Sequence, residues 1–132
     1  MRISILLSLA LAACAGTAVS GSDIGGGEWR ATDVNGVPVA GERPLTLRFD
    51  AGGRASGSGG CNSFTTDYRK RSDSRLEFGP VVATEMACEA AITAQETRYL
   101  AILDAAESYS RYGDGSLSII APDGRAVRFR RR

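Results

Sequence analysis

Histidine is absent from the 132 residues. That absence removes the side chain that most often serves as general base near neutral pH and as metal ligand. Ser-His-Asp and Cys-His catalysis are excluded with it. Excess charge of one sign is missing too. Sixteen Lys and Arg against 15 Asp and Glu leave a net +1, so no global field recruits nucleic acid or acidic substrates. Cysteine is scarce and odd in number, at three, and no C-x-x-C spacing exists to poise a redox pair. No uninterrupted apolar run approaches the roughly 20 residues of a bilayer-spanning helix. What the chain does have is 43% hydrophobic residues and the length of one ordinary domain, which suffices for one core.

The chain begins as an address. Met1-Arg2 is a short positive region, and Ile3 to Leu11 is an apolar run of the length a signal peptide uses. Leu11-Ala12-Ala13-Cys14 follows and resembles the bacterial lipobox, in which the Cys thiol is acylated and the chain is cut just before it. Residues 1–13 are then a lipoprotein signal peptide, and 119 of the 132 residues remain, with no net charge because Arg2 is lost. Each buried lipid CH₂ contributes about 0.8 kcal/mol, so several acyl chains anchor stably. Ala15, after the Cys, resembles an outer-membrane sorting choice. Ala18-Val19-Ser20 offers an ordinary signal peptidase a second site, and use of that site would discard Cys14. Residues 14–27 are small and Gly/Ser-rich with one large apolar residue, Ile24, and read as a flexible tether.

From Glu28 to Arg132 the dominant period is two. Trp29, Ala31 and Asp33 alternate with Arg30, Thr32 and Val34, and Asn35-Gly36 turns the chain. Leu45, Leu47 and Phe49 share a face, Ala51-Gly52-Gly53 turns, and a hairpin over 45–59 results. Phe64, Thr66 and Tyr68 alternate next, then Leu76 and Phe78. The period changes at Ile92, Tyr99, Leu100, Leu103 and Ala106, which fall at helical spacing. Thr93-x-x-Glu96 fits a capping box, although Glu89-Ala90-Ala91 could carry the helix further upstream. Strand patterns return over 107–112, 117–120 and 126–130. The reading is α+β: a curved antiparallel sheet or half-barrel of about eight strands packed around one helix.

Each notable segment has a bland reading beside the chemical one. Gly57-Ser58-Gly59-Gly60-Cys61-Asn62 could cradle a phosphate on backbone N–H groups, but no Lys-Ser/Thr follows the glycines, and a strand comes next. Close backbone approach or a bulge accounts for it better. Cys61 and Cys88 pair by default in an oxidising compartment, and closing about 28 residues stabilises by about 3.6 kcal/mol in the chain-entropy picture. A zinc site lacks ligands, so neither metal nor cofactor is expected. Glu85, Glu89 and Glu96 sit near the helix start, where negative charge complements the helix dipole. Arg128, Arg130, Arg131 and Arg132 form a basic patch that could touch anionic headgroups, although Arg on a solvated strand edge is the simpler account.

Thr46-Leu47-x-Phe49, Gly53-Arg54-x-x-Gly57-Ser58-Gly59-Gly60-Cys61-Asn62-x-Phe64 and Tyr68 resemble the META domain, also called the HslJ-like domain. Leu76-x-Phe78, Thr84-x-Met86-Ala87-Cys88 and Gln95-Glu96 ahead of Tyr99-Leu100 continue the resemblance, which covers the chain from about Trp29. It implies a sheet wrapped around a helix in a small bacterial envelope protein. It also implies links to heat shock and novobiocin tolerance, and it carries over no catalytic residue. The expected function is a non-enzymatic binding or structural module at the outer membrane, facing the periplasm. Its lipid would hold it to the membrane, and its partner would be an envelope protein or a small hydrophobic ligand. Asn62, Tyr68 and Met86 are the candidate contact surface. The alternative is an inhibitor of a secreted hydrolase such as a lysozyme or protease.

Overall fold

The structure is a computed structural model that describes residues 24–132. The signal peptide, Cys14 and most of the expected tether lie outside the described residues.

Alternating sequence produces strands, and the strands follow one another around a barrel. β1 (Glu28–Val34) is joined to β2 (Val37–Pro38) by Asn35-Gly36, both at positive φ, as the tight turn of a hairpin requires. β3 (Thr46–Phe49) and β4 (Arg54–Ser58) form the expected hairpin, and β5 (Ser63–Lys70) adds beside β4. β6 (Leu76–Phe78) and the short β7 (Val82–Ala83) both pair with β5. After the helix α1 (Ala90–Ala105) come β8 (Ser108–Arg111), β9 (Leu117–Ile120) and β10 (Ala126–Arg131). All pairings are antiparallel, in the order β6-β5-β4-β3-β1-β10-β9-β8. An isolated bridge from Arg75 to Ser108 brings the two ends of this path together, so the sheet is a nearly closed barrel.

α1 lies across one mouth of the barrel. Its buried stripe, Gln95, Glu96, Tyr99, Ile102 and Leu103, follows the three-and-four spacing of a helix that packs on one face. Tyr99 reaches the centre, where its ring meets Phe64 and Phe129 and its hydroxyl donates to the Thr46 carbonyl at 2.8 Å. Trp29 closes the other end, fully buried beneath the Arg131 guanidinium, 4.2 Å from the ring centre. Its indole N–H donates to the Ile24 carbonyl at 2.9 Å, and the Ile24 side chain is buried in the core. The packed region therefore reaches upstream of Glu28, into the segment read as tether.

Three local expectations are corrected. Strict alternation in β1 would put Val34 outside, but a bulge between Ala31 and Asp33 shifts the register and buries Trp29 and Val34 together. The helix takes the longer of its two possible starts, with Glu89 as N-cap and no side-chain cap, so Thr93 and Glu96 lie inside it and form no capping box. β10 is not an edge strand: β1 and β9 flank it, so its arginines do not guard a free edge.

Candidate functional site

The Gly-rich segment that ends β4 and follows it wraps a carboxyl group, and that group is the chain's own Glu96. The backbone N–H groups of Cys61 and Asn62 donate to Glu96 Oε2 at 2.9 and 2.7 Å. Asn62 Nδ2 donates to Glu96 Oε1 at 2.6 Å. Three short hydrogen bonds to one side chain tie the helix to the sheet. The glycines make room for it. A Cβ on Gly59 would meet the Glu96 carboxylate, and one on Gly57 would lie inside the Thr46 carbonyl. Gly60 holds φ at +97°, which favours glycine.

Asn62 is the hub of the segment. While its amide N–H₂ group faces Glu96, its Oδ1 accepts from Met86 N at 2.6 Å and from Thr84 Oγ1 at 2.9 Å. The 84–88 segment is thereby held against the loop, and the Cys61–Cys88 disulfide fastens it a second time, with Cα atoms 6.0 Å apart. One residue before Glu96, Gln95 grips Ala40 from both sides, accepting its N–H at 2.8 Å and donating to its carbonyl at 3.1 Å.

The three residues expected to form one contact surface do not. Asn62 is buried with its polar atoms engaged, because the Thr84 hydroxyl, the Met86 N–H and Glu96 consume them. Tyr68 is half-buried near the Trp29 end, its hydroxyl donating to the Asp50 carbonyl at 2.7 Å and its ring edge-on to Phe49. Met86 alone is well exposed, at 58%, beside a shallow depression of about 410 Å³ lined also by Gly41, Arg43, Gly60, Cys88 and Ile92. Of the three glutamates read near the helix start, Glu85 and Glu89 are exposed, and Glu96 turns inward.

Sequence reasoning missed Glu96 as the recipient of the loop. A carboxylate on an otherwise apolar stripe was the available signal, since it must find donors once buried. Elsewhere, burial pushes the Tyr99 hydroxyl well above the usual tyrosine range. Hydrogen bonds from Ser116 hold Asp114 below its ordinary value, and bonds from Arg125 do the same for Asp123. Among the described residues no three Cys, Asp or Glu side chains converge as a metal site requires.

Comparison with known proteins gives a family and a fold. No curated protein matches the chain. A solved NMR structure of a protein from Burkholderia xenovorans is similar with a TM-score of 0.67 at 22% identity, covering 86% of each chain. A second NMR structure is similar with a TM-score of 0.63 at 20% identity, over 79% of this chain and 87% of the other. At such identities the likeness concerns the fold alone. The META domain family model matches residues 22–132, which include every strand, the helix, the Gly-Cys-Asn loop and Ile24. The chain belongs to the META domain family.

Proposed function

We propose that this META domain is a lipoprotein of the bacterial envelope, held at the outer membrane through Cys14 and facing the periplasm. It acts there as a non-enzymatic binding or structural module that supports tolerance of envelope stress and of novobiocin-type antibiotics. One observation carries the non-enzymatic reading. The segment richest in chemically able groups faces inward on itself: Cys61 is bonded to Cys88, and Asn62 and the loop N–H groups are spent on Glu96. A general base needs free lone pairs beside an open cleft, and both Glu96 oxygens already accept hydrogen bonds. The leader and Leu11-Ala12-Ala13-Cys14 support the anchor.

Mass spectrometry of the membrane fraction tests the anchor: a diacylglyceryl Cys14 is expected, and a soluble chain starting near Gly21 refutes it. Deleting the gene and challenging cells with novobiocin, detergent and heat tests the role. Reduced survival under at least one challenge is expected, and wild-type growth under all three refutes it.

A second reading, inhibition of a secreted lysozyme or protease, draws on one feature. Val82 and Met86, 67% and 58% exposed, stand on a segment braced by the disulfide. Adding the purified chain to a panel of such hydrolases decides it, nanomolar inhibition being the supporting result.

A further inference from the structure

The described charges are unevenly placed. At the barrel end closed by Trp29, the chain ends of β3, β5, β8 and β10 meet the starts of β1, β4, β6 and β9. Most acids at this rim are already neutralised. Asp67 pairs with Arg54, Glu77 with Arg71, Asp114 with Arg128 and Glu28 with Arg132. Asp50 and Asp73 carry no such pair, yet Arg69, Arg75 and Arg130 also remain there without an acid in ion-pair range. The opposite mouth, under the helix, exposes Glu42, Glu85, Glu89 and Asp104 against Arg43 and Arg98. A chain with almost no net charge is therefore polarised end to end.

A second observation lies just behind the rim. Arg30 and Arg130 are directly opposite on neighbouring strands, and the Arg30 Nε is buried without a hydrogen-bond partner. Like charges placed opposite each other destabilise a sheet, and an external anion would relieve them. The chain also enters the barrel at this end, through Ile24 against Trp29. Ten residues, from Cys14 to Asp23, separate the lipid site from the described domain, and at full extension they span about 35 Å. An anchored domain thus keeps this rim near the bilayer, where phosphate headgroups supply the missing charge.

We propose that the Arg-rich rim around Arg69, Arg75, Arg30 and Arg130 docks on anionic phospholipid headgroups. The domain then stands with its helix, its disulfide and Met86 pointing away from the membrane. The proposal rests on the anchored reading above.

The test uses the acylated chain reconstituted in vesicles of phosphatidylcholine alone or with phosphatidylglycerol, followed by amide hydrogen exchange. On phosphatidylglycerol, exchange at 71–75 and 112–116 is expected to slow about fivefold or more, as attraction of this strength near the surface implies, while 84–89 is unchanged. High salt and the double variant Arg75→Glu/Arg130→Glu are expected to erase the slowing. Both side chains are exposed, and Arg130→Glu faces Arg30, so thermal stability should hold or rise as docking is lost. Equal exchange on both vesicles, slowing at 84–89 instead, or slowing only when soluble envelope proteins are added overturns the proposal. The last result would assign the rim to an acidic protein. If Cys14 carries no lipid, the anchored reading fails by itself. The unacylated chain is then sedimented with the same vesicles: salt-sensitive binding to phosphatidylglycerol sustains the rim, and no binding overturns it.

Discussion

Glu96 and Tyr99, one turn apart on the helix, show how single residues set this fold. Replacing Glu96 with Ala leaves the N–H groups of Cys61 and Asn62 buried without their acceptor. Each such loss costs about 1–3 kcal/mol, so Glu96→Ala is expected to remove about 3 kcal/mol or more, read from urea unfolding. Gly59→Ala should destabilise in the same direction, because its Cβ meets that carboxylate. Tyr99 answers to pH. Its raised pKa means that the folded state keeps the proton where an unfolded tyrosine, with a value of about 10, has lost it. The associated stability is intact below that value and falls as pH rises beyond it. Thermal melts of the wild type should decline more steeply above pH 10 than those of Tyr99→Phe.

At the scale of elements, the hairpin over 45–59 and the β5 strand were legible because one face is apolar and turn residues bound each run. The bulge in β1 was not. It exists because Trp29 and Val34, five residues apart, both face the core, and only an extra residue lets them. Inserting one residue beside Thr32 should break this parity, turn Val34 out of the core and lower the melting temperature by several degrees or more, whereas deleting Thr32 leaves Trp29 and Val34 four apart on one face and should cost less; circular dichroism melts compare the two. The helix start was ambiguous for a related reason. Its first half is fastened by Gln95 and Glu96 to Ala40 and the Gly-rich loop, contacts that no local capping pattern announces. The Cys61–Cys88 bond closes the loop between these elements, and Cys61→Ser/Cys88→Ser should cost about 3.6 kcal/mol by chain entropy. Comparing urea midpoints of oxidised and double-variant protein checks this.

For the molecule as a whole, the near-zero net charge hides a polarised surface, because strand ends that are remote in sequence share one rim. The same closure alters the meaning of the C-terminal arginines. On an edge strand they would discourage pairing. Between β1 and β9 they instead crowd other cations, Arg30 above all. The four surface ion pairs at the rim are exposed and add little stability. Raising salt to 1 M should accordingly shift the urea midpoint of the isolated full chain only slightly, and a large loss would show that the rim pairs stabilise the fold.

By itself the sequence determined the α+β class, the strand and turn chemistry and the helix of the described residues, because periodicity and turn residues act within a few positions, and its Gly-Cys-Asn and Met-Ala-Cys motifs pointed to the META family. It also supplied the exclusion of His-based chemistry. Tertiary structure alone decided what the chemically able groups do. Whether Asn62 faces a partner or Glu96, whether Ile24 belongs to a tether or the core, and which cations share a rim all depend on contacts between residues far apart in the chain. Barrel closure sets those contacts, and no local pattern encodes it.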